Sequence, residues 1–425
     1  MIGAAPAMIF IGHQFFGAAL NIFAFVLLSA LSVILVLVLL SGQARRRLDR
    51  LSPAWLVIGL FAATLAVALM SLTSWAPGGA HPIWSWSGGN PASTINRSAT
   101  ALEIIKLLGL AAPFLIGCIF GAWTESARRL YGLILAIGAV YAIVSLVMFL
   151  ARIGPLASSR LNGGFESANI AGTLFGVLAV MAAAWSLRAW TRMDRLGLAD
   201  RVTAMAPQIA LGLLFLACLL LTASRAAIGA TGLALALFAG WAAFNNRQAR
   251  WPIMALGLTV IAVAIAVFLQ GNTLFIDRFE GLAGDTSRID LLAPHWQAFL
   301  DAPLSGYGLG SFAQVNDQIA TSQTAAALSS TVILHNVYVQ WLEEAGLVGA
   351  IPMFLLIVVV LGVTAWRTFR RPRNQSLLTG LLCASLIVLL HAGVDVSLNT
   401  LSFCAFWSLL LGLGFGLSQA SSRAD

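Results

Sequence analysis

Residues 17–41, GAALNIFAFVLLSALSVILVLVLLS, contain no ionisable side chain and are followed almost at once by Arg45, Arg46, Arg47 and Arg50. As a helix, this stretch reaches about 37 Å at ~1.5 Å per residue, more than the ~30 Å of a bilayer's hydrocarbon layer. The pattern recurs down the chain. Apolar runs able to span lie near 53–74, 100–122, 131–151, 169–187, 206–223, 226–244, 253–270, 347–365, 377–393 and 399–418, giving eleven with the first. The 425 residues are 60% hydrophobic and only 9% charged, against roughly a quarter charged in ordinary soluble domains, which excludes a soluble globular fold. The sequence predicts an all-α polytopic membrane protein of 11–12 transmembrane helices with one large periplasmic loop containing surface helices.

The net charge of +8 does not point to nucleic acid, because arginine and lysine gather in the cytoplasmic loops of membrane proteins. Seventeen of the 23 arginines fall in one alternate set of connections, from Arg45 through Arg128, Arg188, Arg247 and Arg367 to Arg423. Only Arg97, Arg152, Arg160, Arg225, Arg278 and Arg288 fall in the other. This asymmetry predicts a cytoplasmic C-terminus. Eleven spans put the N-terminus outside, unless residues 4–16, with His13 and Gln14, add a half-span or hairpin. The N-terminal run has no basic leader or small-residue cleavage site and reads as retained. Cys118, Cys218, Cys383 and Cys404 all lie in apolar runs without metal-ligand spacing and read as spectators.

Three regions follow: an N-terminal transmembrane bundle (1–270), a large outer loop (271–346) and C-terminal transmembrane helices (347–425). Loops beyond about 15 residues are usually lids, binding surfaces or linkers. The aromatic and aliphatic spacing Ile289, Leu292, Trp296, Phe299 predicts an amphipathic helix at the membrane surface, and GYGLGSF at 306–312 supplies a turn.

Ionisable residues near spans are costly and are candidates for function. Glu103 and Lys106 form an i,i+3 pair near the outer end of the third span; they read as an internal ion pair or make Lys106, the only lysine, a lipid-phosphate ligand. His391 and Asp395 end the tenth span, either as a helix-closing hydrogen bond or as a brace for a catalytic loop. Arg225 in TASRAAIGA at 222–230 sits at the outer surface against the charge trend, where a guanidinium snorkels to headgroups or binds phosphate. Arg288 opens the surface helix and can pair with Asp285 or Asp290. In HNVYVQWLEEAGLVG, His335 and Asn336 precede a helical pattern running into the ninth span. Histidine there is either structural or a neutral proton acceptor beside helix N–H groups that suit an anion.

The run His335-Asn336, nine residues, Gly346, two residues, Gly349 resembles the signature of the O-antigen ligase and polymerase family of bacterial membrane glycosyltransferases. Ser224-Arg225, Arg288, Pro303 followed by Gly306, Gly308 and Gly310, and the His391…Asp395 ending are similar in order. Arg160 through GGFESANIAGT, which contains Asn169, resembles the family's outer loop, although Glu166 and Ala168 depart from its pattern. The resemblance implies transfer of glycan from an undecaprenyl diphosphate carrier to an acceptor sugar hydroxyl at the periplasmic face of the bacterial inner membrane, without a nucleotide sugar, cofactor or obligatory metal. It implies His335, Arg225 and Arg288 as catalytic residues, and Asn336, Arg160, Asn169, His391 and Asp395 as substrate-binding ones; the lipid-phosphate reading of Lys106, which lies outside the resemblance, adds that side chain to the substrate-binding set. Expected partners are the lipid-linked donor, a glycan or lipid A–core acceptor, membrane lipid and a chain-length regulator, with no nucleic acid.

The chemistry agrees. Cleaving a glycosyl–diphosphate bond builds negative charge that fixed arginines stabilise, and the acceptor hydroxyl needs a base such as histidine. Direct attack inverts the anomeric centre. Polymerase and ligase share these motifs, so the preferred reading, a polymerase in O-antigen, capsule or exopolysaccharide synthesis, stands beside a ligase acting on lipid A–core. A flippase, from another class, would depend on Glu103 and Lys106 more than on His335.

Overall fold

The computed structural model describes the chain except for residues 17–20, 154–158, 194, 246–286, 323–324, 329–332, 371–372 and 421–425. Among the described residues the secondary structure is helical, with no strand. The first half comprises α1 (Ala4–Phe16), α2 (Asn21–Leu39), α3 (Gly42–Asp49), α4 (Ala54–Ser71), α5 (Ile83–Ser87), α6 (Arg97–Gly121), α7 (Thr124–Ala151) and α8 (Ala168–Trp190). It continues with α9 (Leu198–Ala204), α10 (Ala206–Leu221), α11 (Arg225–Asn245), α12 (Ser287–Asp301), α13 (Phe312–Ile319), α14 (Ala325–Leu328), α15 (Val337–Arg370), α16 (Gln375–Ala392) and α17 (Leu401–Leu417).

Eight of these helices are long and apolar enough to cross a membrane, and α10 and α17 are shorter apolar ones. Together they match ten of the eleven expected runs; the eleventh, 253–270, lies outside the described residues. The protein is a multi-pass membrane protein. Residues 4–16 do form a helix, α1, whose thirteen residues are too short for a full crossing. It packs into the bundle, with His13 fully buried among Phe10, Tyr141, Phe165 and Phe406.

Contacts across the chain define two ends. At the arginine-rich end, Arg47 Nη1 donates to Ile119 O at 3.4 Å, Arg367 Nη2 to Ser52 O at 3.2 Å, and Ser52 N to Gln419 Oε1 at 2.8 Å. At the opposite end, Ile95 N donates to Tyr307 O at 2.9 Å, Leu161 N to Leu221 O at 3.0 Å, and Tyr338 Oη to Leu389 O at 2.6 Å. The expected site residues all belong to this second end.

Helix α8 lies at the centre, almost wholly buried against α7, α10, α11 and α16. Large apolar side chains such as Ile58, Val140, Leu150 and Val358 point out of the bundle, as expected where lipid rather than water is the neighbour. Helices α6 and α17 approach most closely through Gly117 and Gly121 on one side and Gly412 and Gly416 on the other. Small residues four apart allow backbones to meet, and dispersion rather than water exclusion then holds the pair.

Two expectations are refined. The buried stripe of α12 is Leu291, Leu292, His295, Ala298 and Phe299, with Leu291 and Leu292 half-buried and Trp296 44% exposed; the helix is rotated from the predicted face because His295 turns inward. Helix α15 does not run straight into its span but breaks at Gly346, with φ 59° and ψ −176°, so its membrane-spanning part begins at Leu347.

A Cβ on Gly412 would lie 2.0 Å from the Phe114 carbonyl oxygen, whereas one on Gly362 meets nothing within 4 Å. Gly412→Ala is therefore expected to lower the thermal midpoint of the detergent-solubilised protein by several degrees, and Gly362→Ala to leave it unchanged, as followed by fluorescence-detected size exclusion.

Candidate functional site

The site begins with the break in α15. A helix interrupted at Gly346 leaves carbonyls before it and N–H groups after it without intrahelical partners, and buried backbone groups must find others. The segment 303–310 provides them. Leu347 N donates to Pro303 O at 2.8 Å and Val348 N to Leu304 O at 3.0 Å, while Tyr307 N and Gly308 N donate to Glu343 O and Glu344 O at 3.0 and 2.8 Å. A Cβ at Gly346 would sit 2.3 Å from Leu304 O, and its backbone conformation is one that essentially only glycine adopts. The buried Glu344 carboxylate then receives Gly310 N at 2.8 Å, Phe312 N at 3.2 Å and Gln340 Nε2 at 3.1 Å. Burial pushes this carboxyl up to about 8 against the pull of Gly310 N and Gln340 Nε2. The glycine-rich turn and the glycine of the histidine motif are thus two halves of one interlock.

That interlock sets the start of α15. Asn336 is its N-cap: Oδ1 accepts from Val339 N at 3.1 Å, and the backbone oxygen accepts from Gln340 N at 3.1 Å. An asparagine in this position satisfies donors at a helix start, which fits its expected place beside His335. His335 is half-buried immediately before it. One turn on, Tyr338 donates to Leu389 O, and Gln340 Oε1 accepts from Asn399 Nδ2 at 2.7 Å, binding the His335 segment to the end of α16 and the 3-10 turn Ser397–Asn399.

From there a buried polar chain crosses to α8. His391 Nδ1 lies 2.6 Å from Thr173 Oγ1 and 3.5 Å from Asp395 Oδ2, and His391 and Asp395 are 1% and 0% exposed. Ser397 Oγ donates to Asp395 and lies 3.1 Å from Thr173 Oγ1. Since Ser397 has given its one proton to the carboxylate, the Thr173 hydroxyl donates to Ser397 or to Asn169 O, 3.2 Å away. With both hydroxyl protons so assigned, the His391–Thr173 contact is a hydrogen bond when His391 carries its proton on Nδ1 and donates to Thr173. The His391 ring thus bonds to Thr173 of α8 rather than closing α16 on Asp395, whose carboxylate is held by Ser397.

One turn up α8, Asn169 Oδ1 accepts from Arg160 Nη2 at 2.8 Å, and Arg160 Nε donates to Thr222 O at 2.7 Å. Thr222 begins the tight reversal that leads to Arg225, half-buried at the first turn of α11. Hydrogen bonds therefore run from the Thr222 carbonyl through Arg160, Asn169 and Thr173 to His391, Ser397 and Asp395, and the 3-10 turn Ser397–Asn399 carries the backbone on to Asn399, which bonds to Gln340 on the His335 helix. Lys106 Nζ is 2.5 Å from Glu103 Oε1, the internal ion pair of the first reading. Arg288 lies in the first turn of α12, but its side chain is outside the described residues.

Three buried groups escaped the sequence reading. His295 Nδ1 contacts both Glu343 oxygens at 2.8 and 3.1 Å, with each side chain 0% exposed, and its ring stacks on Phe312 at 4.7 Å. Burial pushes the Glu343 carboxyl up and the His295 contact draws it back. The clue was Glu343-Glu344 itself, two acids in an otherwise apolar helical run just ahead of a glycine. Thr173 carried no such mark.

Residues 210–354 match the family model described as O-antigen ligase. This part of the chain carries the O-antigen ligase signature. The match takes in the Arg225 turn, α12, the glycine interlock and the start of α15, and it bears out the resemblance to the O-antigen ligase and polymerase family. It supports a polysaccharide ligase or polymerase role and a membrane glycosyltransferase-like enzyme. No curated protein matches the chain.

Thr173→Val removes a hydroxyl that three buried groups share and is expected to destabilise the protein by about 1–3 kcal/mol, the cost of stranding buried polar atoms. Thr173→Ser, which keeps the hydroxyl, should recover most of the loss in the same thermal assay.

Proposed function

We propose that this protein is a polysaccharide polymerase that transfers glycan from an undecaprenyl diphosphate carrier to the hydroxyl of an acceptor sugar at the periplasmic face of the inner membrane. The observation that carries the reading is the polar run joining the Arg225 turn to the His335–Asn336 helix start, built from chain segments more than a hundred residues apart. A transporter needs costly groups near the bilayer midplane; here the corresponding side chains gather at one end, and Lys106 is neutralised by Glu103.

In this mechanism the acceptor oxygen attacks the anomeric carbon as its proton passes to the His335 imidazole. The bond between that carbon and the diphosphate oxygen breaks, and the departing negative charge is met by the Arg225 and Arg288 guanidiniums. Planar five-donor forks suit phosphate oxygens, and donors fixed beforehand favour the transition state over the ground state. Asn336 and Glu344 hold the His335 segment in position, while Arg160 and Asn169 line the approach beside Arg225 and orient donor sugars. Attack from the opposite side inverts the anomeric centre. The polyprenyl tail lies along the apolar outside of the bundle, and a chain-length regulator docks at the same end.

The test is surface-glycan analysis in a deletion strain complemented with wild type, His335→Ala or Arg225→Ala at matched expression. Loss of a general base typically costs about 10²–10⁴ in rate, so both variants should lose long chains while retaining single repeat units on the carrier or core. Long chains accumulating on the carrier without reaching core would establish a ligase instead. Wild-type glycan from normally expressed variants would refute the catalytic assignment.

A further inference from the structure

At the arginine-rich end, far from the proposed transfer site, guanidiniums from different helices converge on a single neutral acceptor. Arg128, in the first turns of α7, donates to Asn374 Oδ1 through Nη2 at 2.9 Å and Nε at 3.3 Å, and Arg188, in the last turn of α8, approaches the same oxygen through Nη1 at 3.5 Å. Arg192 and Arg373 lie close enough to repel both. Asn374 itself precedes α16 in a left-handed conformation, φ 60° and ψ 17°, and makes no side-chain cap; its amide is turned to the arginines instead.

One amide oxygen does not balance this charge. Among the described residues the carboxylate that acts on Arg128 is Glu125, whose influence is smaller than the repulsion from either Arg192 or Arg373, and Glu125 is already held by Arg129 in an ion pair. Orientation in the membrane explains why arginines occupy this end, but topology asks only for positive charge near the ends of spans. It does not ask two helix ends to aim their guanidiniums at one oxygen with two further arginines beside them. Arg192 and Arg373 are exposed, while Arg128 and Arg188 are partly sheltered, so the cluster opens to the surface beside the ends of α7, α8 and α16.

We propose that Arg128, Arg188, Arg192 and Arg373 form a binding site for the phosphate of an anionic phospholipid in the adjoining leaflet. Basic pockets between helix ends on this side suit such headgroups, and guanidinium forks take two phosphate oxygens at once. A net anionic headgroup is favoured over a zwitterionic one because an ammonium beside the phosphate would be repelled. The lipid would neutralise the cluster and tie together the α7, α8 and α16 ends beneath the central helix.

The purified full chain would be exchanged into nanodiscs of phosphatidylethanolamine and phosphatidylglycerol, and the lipids retained after release into detergent counted by native mass spectrometry. Wild type should retain phosphatidylglycerol in preference. Arg128→Gln/Arg188→Gln should weaken that retention about fivefold per arginine removed, whereas Arg45→Gln/Arg46→Gln, which removes equal charge at the same end, should keep it. Thermal midpoints of wild type in phosphatidylethanolamine discs, with phosphatidylglycerol added or with inorganic phosphate alone, separate the two phosphate sources, and this arm does not depend on a variant that folds. Stabilisation by phosphatidylglycerol exceeding that by phosphate supports the proposal. Equal retention of the two lipids by wild type, equal losses in both double variants, or a response to inorganic phosphate with none to phosphatidylglycerol would each overturn it.

Discussion

The break of α15 at Gly346 is the constraint on which the functional end of the molecule depends. Four backbone hydrogen bonds to segment 303–308 replace those that the helix cannot make across the break, and only a residue without Cβ fits against Leu304 there. Because buried N–H and C=O groups are expensive to leave unmatched, the loop and the helix start cannot move independently. His335 and Asn336 are placed at a defined height and direction by a device that lies ten residues further along the chain.

The polar run from Arg160 to Asn399 solves a second problem, that of holding many helix ends together where apolar packing gives way to the membrane surface. Helices in lipid gain little from burying apolar surface against each other. At this end the cohesion comes from shared hydroxyls and amides, with Thr173 of α8 at the centre touching His391 of α16 and Ser397 of the turn after it. A buried hydrogen-bonded network of this kind favours one arrangement of its members. Preorganised donors are what stabilisation of a departing diphosphate requires, so the same bonds that close the bundle also suit the proposed chemistry.

The span pattern was legible because apolar length is a coarse signal: ten runs emerge as helices, most of them close to their expected limits, while α7 starts at Thr124 and α15 at Val337, well ahead of the expected 131 and 347. Asn336 was placed beside a helix start from sequence and is indeed the cap. The helix break was hidden because the residues on both sides of Gly346 read as continuous helix, and the reason for the glycine lies forty residues upstream, in the carbonyls of Pro303 and Leu304. His295 was concealed by a stronger apolar pattern, in which Trp296 seemed to belong to the buried face. Thr173 is a lone threonine in an apolar helix, and only the approach of His391 and Ser397 gives it meaning. The close passage of α6 and α17 was written in their paired glycines, four residues apart, and went unread because spacing alone does not say which helices meet.

The central claim is that His335 takes part in bond making rather than in binding or folding. Its most direct test is a single-turnover assay with purified protein in nanodiscs, an undecaprenyl-diphosphate-linked repeat unit as donor, and a glycan acceptor, with donor binding measured separately. The account predicts that His335→Ala binds the donor with a Kd within about threefold of wild type yet forms product at least about a hundredfold more slowly, as for loss of a general base. Product formation at the wild-type rate would contradict it.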